Sequence, residues 1–194
     1  MQHLVQTYSS EQLVTEDMLG MHRLRYEVFA ERLGWDVKTE NGMERDQFDD
    51  VAQVAFVLAK SPHGSVDACW RILPTTGPYM LRDVFPELLH GQPAPMSDDC
   101  WELSRLAVAT NRTATGNASF GPISMALMAE LASFGLERGI SRYVAVTTPG
   151  IERMLKYQGL HIHRVGPPVR IGVSVALACM IELDSITLAA VGMG

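Results

Sequence analysis

From Thr15 to Arg32, apolar side chains at Met18, Met21, Leu24, Val28 and Phe29 recur every three or four residues, which predicts an amphipathic helix. Gly34 is placed to end it. Gly42–Asp50 is polar and reads as a loop. Val51–Lys60 and Val66–Leu73 are apolar runs with β-branched content, and Ser61-Pro62-His63-Gly64 between them signals a hairpin turn. Pro74 closes the second strand, and 75–95 mixes turn residues with a short helix around Arg82–Leu89. Cys100–Val108 predicts another strand, and Gly121–Arg138 a helix striped by Ile123, Leu127, Leu131 and Phe134. Tyr143–Thr148 reads as a buried strand, Gly150–Gly159 as a helix, and Arg170–Glu182 as one or more final strands. This order predicts a mixed α/β sandwich around one sheet.

Composition narrows the class. At 194 residues, 47% hydrophobic and 20% charged, the chain suits one domain over 1–194 and is too short for two ordinary ones. A net charge of −6 argues against a nucleic-acid binder that relies on phosphate neutralisation. The longest apolar stretches, such as Val173–Ile181, are too short to span a bilayer, and the first residues lack the basic and apolar regions of a secretory signal. Cys69, Cys100 and Cys179 are dispersed, with no pairing framework and no metal-binding spacing. A cytoplasmic location is expected.

The charge is unevenly divided. Residues 1–60 hold eleven carboxylates against six Lys and Arg. In 137–170 the balance reverses: Arg138, Arg142, Arg153, Lys156, Arg164 and Arg170 face only Glu137 and Glu152. That segment is either a docking face for an acidic partner or an ordinary solvated surface.

Three constellations carry candidate chemistry. Arg25 and Phe29 share a helix face with Trp35 just beyond it, a set that can grip a cationic, aromatic or carboxylate-bearing molecule or simply pack at the core rim. The acidic run Glu44–Asp50 lacks calcium-loop spacing and has no nearby His or Cys, so no metal is expected. Its Asp46 and Asp49 can meet Arg25 and Arg105 if the loop folds back over the helix. Glu102 and Arg105, inside an apolar strand, are costly to bury unless paired, and Arg71 poses the same question.

Taken in order, Arg25-x-x-x-Phe29, Gly34-Trp35, Glu44-x-Asp46-x-x-Asp49, Cys69-Trp70-Arg71-Ile72-Leu73-x-Thr75-Thr76-Gly77-Pro78-Tyr79-Met80-Leu81, Phe85 and Trp101-Glu102-Leu103-Ser104-Arg105 resemble the acyl-homoserine-lactone synthases, the LuxI-type autoinducer synthases of quorum sensing. The likeness runs from about Met18 to Gly172. It implies a GNAT-like three-layer sandwich: a twisted mixed sheet, helices on both faces, and a V-shaped cleft between splayed parallel strands, here Leu103–Val108 and Val144–Thr148.

The resemblance also implies the reaction. S-adenosylmethionine is N-acylated by a fatty acyl thioester on acyl carrier protein, then closes to a lactone with loss of methylthioadenosine. Glu102 is the first candidate base, and Arg25, Asp46, Asp49 and Arg105 are the ionic cluster shaping the S-adenosylmethionine side. Phe29 and Trp35 form its aromatic wall, while Arg71, Phe85 and Ser104 match further substrate-side positions. Thr147 falls where a hydroxyl accompanies 3-oxo acyl chains, and Met125 and Met128 either line an acyl tunnel or are plain core. Arg153 and Lys156 are the expected carrier docking residues. No metal or redox cofactor is implied, S-adenosylmethionine being a substrate.

Two rivals remain at this level. One is an acetyl-CoA-dependent GNAT enzyme, poorly supported because the Arg–Gly gap in Arg112-Thr113-Ala114-Thr115-Gly116 is one residue too long for the pyrophosphate cradle. The other is a non-catalytic binder, which has no use for Glu102. An acyl-CoA-using synthase remains open.

Overall fold

A computed structural model describes residues 3–110 and 121–194. The elements are β1 (Leu4–Ser9), α1 (Thr15–Arg25), β2 (Thr39–Glu40), β3 (Met43–Glu44), β4 (Ala55–Lys60), β5 (Val66–Pro74), α2 (Met80–Asp83), β6 (Cys100–Val108), α3 (Pro122–Arg138), β7 (Arg142–Thr147), α4 (Pro149–Tyr157), β8 (Ile162–Arg164), β9 (Val169–Ile171), β10 (Ser174–Glu182) and α5 (Ser185–Ala190). They form two compact units, Met1–Arg71 with Arg105–Glu130, and Ile72–Ser104 with Leu131–Gly194.

In the first unit β1 lies antiparallel to β4, from Leu4↔Lys60 to Ser9↔Ala55, and β4 neighbours β5. The β4–β5 turn falls at the predicted place, closed by Gly64 N–H to the Ser61 carbonyl at 3.0 Å. Met21, Leu24, Val28 and Phe29 are buried, as the helical period requires. The predicted single helix changes character at Arg25: Tyr26–Arg32 is π-helical, with Leu33 N–H reaching back five residues to the Val28 carbonyl at 3.0 Å. Gly34 follows at φ 63°.

The polar stretch 42–50 is built rather than loose. Asn41 and Gly42, at φ 52° and 72°, turn the small β2–β3 hairpin. Gln47–Asp50 is a 3-10 turn capped by Asp46, whose carboxylate accepts from Phe48 N–H while Asp49 accepts from Asp46 N–H.

In the second unit β6 runs parallel to β7 from Cys100↔Arg142 to Leu103↔Ala145. β10 is antiparallel to β7, β8 and β9, which makes the arrangement mixed. The fold is therefore mixed α/β. The helix expected around Arg82–Leu89 is two pieces, α2 and a 3-10 turn at Pro86–Leu89, because Pro86 has no N–H to continue α2. β1, β8 and α5 were not foreseen; α5 begins where Asp184 accepts from the N–H groups of Ile186 and Thr187.

The close fit of α3 in this unit gives a test. A methyl group on Gly135 would overlap the Leu183 side chain and come within 3.0 Å of the Tyr143 hydroxyl, which donates to the Leu131 carbonyl at 2.8 Å. Gly135→Ala should therefore destabilise by about 1–3 kcal/mol by overpacking, despite alanine's better helix propensity. Urea unfolding at wild-type stability would contradict this fit.

Candidate active site

α1, the β3 strand, the capped turn after it, β5 and β6 each place a charged side chain at one point of the first unit. Arg25 Nε donates to Glu44 at 2.5 Å, and its two terminal nitrogens donate to the Asp49 carboxylate at 2.7 and 3.0 Å. Arg71 donates to Asp49 at 2.7 Å and to Asp46 at 2.5 and 3.2 Å. Arg105 closes the circuit, donating to Glu44 at 3.1 Å and pairing with Asp46 at 2.8 Å. The result is a six-membered ring of alternating charge. Three guanidinium groups meet three carboxylates, so its formal charge is zero.

Burial within the ring is graded. The Arg25, Glu44 and Arg71 side chains are wholly buried, whereas those of Asp46 and Arg105 retain 10% and 11% exposure. Only the latter pair offers surface to a ligand to any extent. Arg105 also lies 5.5 Å from the centre of the Phe29 ring, and Trp35 stacks on Phe29 at 5.3 Å with 7° between planes. Trp35 N–H is fixed to the Phe29 carbonyl at 2.9 Å, so the π-helical turn sets that stack. Arg71 sits 5.6 Å from the centre of the Phe48 ring.

The backbone is strained at the same place. Arg105 has φ 60°, a left-handed conformation that costs a non-glycine residue about 1–3 kcal/mol and interrupts strand alternation. Its ion pairs hold that conformation.

The ring dictates its own titration. Burial alone would raise the carboxyls of Asp49 and Asp46, but the guanidinium groups beside them prevail and hold both below the usual carboxylate range. For Asp49 these are Arg25 and Arg71; for Asp46, Arg71 and Arg105. Burial lowers the Arg105 guanidinium from its ordinary value, against the pull of Glu44.

The remaining predicted residues are placed as follows. Glu102 lies in the second unit, buried, and its two oxygens accept from Met80 N–H at 2.9 Å and Leu81 N–H at 2.6 Å, at the start of α2. Ser104 is buried and Phe85, which opens the Pro86–Leu89 turn, is half-buried. Thr147 is half-buried at the end of β7, opposite Leu177. On α3, Met128 is buried and Met125 half-buried. Arg153 and Lys156 are exposed on α4, but Lys156 and Arg164 both bind Glu152, at 2.8 Å and 2.6 Å. That leaves this patch of Arg153, Lys156, Arg164 and Glu152 with a formal surplus of two positive charges. The Arg112–Gly116 stretch lies outside the described residues.

Sequence reasoning left Glu44 out of the site, although it opens the Glu44-x-Asp46-x-x-Asp49 motif and links Arg25 to Arg105. Among the described residues, no group of three or more His, Cys, Asp or Glu side chains is arranged to hold a metal ion. Nor is any described helix long and apolar enough to cross a membrane.

The site joins a mixed α/β fold to a neutral arginine–carboxylate ring. An acyl-CoA N-acyltransferase from Pseudomonas aeruginosa shares this fold alone, at TM-score 0.65 and 13% identity over 93% of this chain and 99% of that one. The autoinducer synthase family profile matches residues 9–191. An acyl-homoserine-lactone synthase of Pseudomonas aeruginosa is 44% identical over 172 residues, 88% of this chain and 85% of the relative. The crystal structure of the AHL synthase LasI superposes with TM-score 0.90 at 41% identity, covering 99% of this chain and 95% of that one. A ternary complex of TofI with an inhibitor and MTA superposes at 0.81 with 35% identity, covering 100% and 98%. The chain belongs to the autoinducer synthase family, a family of acyl-homoserine-lactone synthases.

Because each ring member pairs with two neighbours, removing one carboxylate leaves two buried cations with one partner each. Asp49→Asn should cost about 3–5 kcal/mol in urea unfolding at pH 7, the scale of a broken buried pair. A loss under about 1 kcal/mol would contradict the ring. With both aspartates held low, their contribution is complete above an ordinary aspartate value of about 3.9 and is lost only as pH falls through the lower folded values.

Proposed function

We propose that this chain N-acylates S-adenosylmethionine with a fatty acyl group from acyl carrier protein and closes the product to an N-acyl-homoserine lactone. The observation that carries the reading is the closed ring flanked by the Phe29–Trp35 stack, in a chain of the autoinducer synthase family. One synthase domain over 1–194, acting in the cytoplasm, is part of the reading.

The ring, being neutral, acts as a template and not as a charge trap. Asp46 and Arg105 present its accessible edge to the charged amino-acid part of S-adenosylmethionine, and the aromatic stack bounds that side. Arg25, Arg71 and Asp49 act through them as positioning residues. Ser104 and Phe85 take part in substrate binding, Thr147 can donate to a 3-oxo group, and Met125 and Met128 shape the acyl chain's path.

An α-amine of pKa roughly 8 is mostly protonated at neutral pH and must lose its proton to attack. Glu102 takes that proton through water. The amine nitrogen then attacks the thioester carbonyl carbon, the C–N bond forms, and the carrier thiol leaves. In the second step a carboxylate oxygen displaces the sulfonium at the γ-carbon, releasing methylthioadenosine. Neither step changes oxidation state, and the sulfonium is already a good leaving group. The chemistry itself therefore calls for no metal or redox cofactor, and the protein supplies a ring-closing pose.

Incubation with S-adenosylmethionine and a panel of acyl carrier proteins and acyl-CoAs, followed by mass analysis, should yield an acyl-homoserine lactone and methylthioadenosine. No lactone from any donor would refute the reading. Glu102→Gln should lower kcat about a hundredfold or more in a folded protein; near-wild-type turnover would remove Glu102 as base.

The positive surplus of the patch on α4 and β8 suits an acidic carrier. Reversing charge at Arg153 and Lys156 should raise KM for carrier-bound acyl donor, leave KM for acyl-CoA donors nearly unchanged, and lose its effect in high salt. An unchanged KM would remove this docking site.

A further inference from the structure

His22 is a buried titratable group beside the ring that the reaction does not use. It sits on α1 three residues before Arg25, so both project from one helix face. Its Nδ1 lies 2.8 Å from the Glu44 backbone carbonyl. A carbonyl can only accept, so Nδ1 carries the proton. One helix face thus holds Glu44 at two points, His22 on its carbonyl and Arg25 on its carboxylate.

Glu44 needs that hold. It stands in β3, which among the described residues pairs with β2 alone, in a separate hairpin of two residues per strand. Such a hairpin is marginal by itself. Yet the Glu44 carboxylate is the link between Arg25 and Arg105, and Arg105 is the strained member at the accessible edge.

We propose that His22 is a positioning residue that clamps the Glu44 backbone and thereby keeps the arginine–carboxylate ring closed around Arg105. The inference rests on the proposed function only for its activity readout. The charged groups acting on the imidazole are Arg25 on its own helix, Asp49 on the 3-10 turn and Arg45 just after β3, together with the bond to Glu44. Burial, then the Arg25 guanidinium, holds His22 below its ordinary value of 6.5, against the opposing pull of Asp49. The unfolded chain therefore takes up this proton first. Stability is complete above about 6.5 and falls as pH drops from there toward the lower folded value, a window above that of the ring carboxylates.

The test compares His22→Leu, which has no donor, with His22→Asn, which places an amide N–H near Nδ1 and cannot be protonated. His22→Leu should raise KM for S-adenosylmethionine roughly tenfold with a smaller effect on kcat, as expected for one buried bond lost. His22→Asn should recover most of that rise. Melting temperature should fall between pH 6.5 and 5 in the wild type and stay nearly flat in His22→Asn. A wild-type KM in His22→Leu, or an acid profile in His22→Asn that follows the wild type, would overturn the clamp. If His22→Leu does not fold, the His22→Asn profile decides. If the wild type makes no lactone, the functional reading fails while the melting comparison still decides the role of His22.

Discussion

Burying three guanidinium groups and three carboxylates is tolerable only if every one of them is paired on both sides. An isolated buried ion costs several kcal/mol even after relaxation, and a simple pair often does no better than break even. Closing the chain of pairs into a ring solves this, because no member is left at an end. The solution constrains five separate parts of the sequence at once: α1, β3, the capped turn after it, β5 and β6 must all deliver a side chain to one place. The positive φ at Arg105, the asparagine–glycine turn before β3 and the cap at Asp46 are the local means of doing so.

The same constraint explains the division of labour in the proposed chemistry. A neutral ring gives no long-range attraction to a sulfonium cation, but it is rigid, and rigidity is what a ring-closing pose requires. Its accessible edge is narrow, Asp46 and Arg105, with the Phe29–Trp35 stack beside it. Glu102, three residues before Arg105 in β6, is held differently. Its two backbone bonds at the start of α2 fix its position.

The elements with a strong period were legible in the sequence. Cys100–Val108 matches β6, and the Ser61–Gly64 turn and the stripe on α3 fall where the pattern put them. Other parts were not, for physical reasons. The change to π-helix at Tyr26 leaves the apolar spacing almost unaltered, so periodicity does not register it. The polarity of 42–50 suggested solvent exposure, yet it reflects ion pairs and caps, and Glu44 is among the most buried residues of the chain. The motif resemblance picks out Arg25, Asp46, Asp49, Arg71 and Arg105. That they form one closed circuit through Glu44 is a matter of three-dimensional partners, which spacing alone does not encode.

Glu44 and Arg71 lie on opposite sides of the ring and are linked through its intervening members. A double-mutant cycle of Glu44→Gln and Arg71→Met, read by urea unfolding, therefore tests closure directly. A closed, cooperative ring predicts a coupling energy of about 1 kcal/mol or more between these residues. Additivity within about 0.5 kcal/mol would mean that the ring is only a set of independent pairs, and would contradict the account.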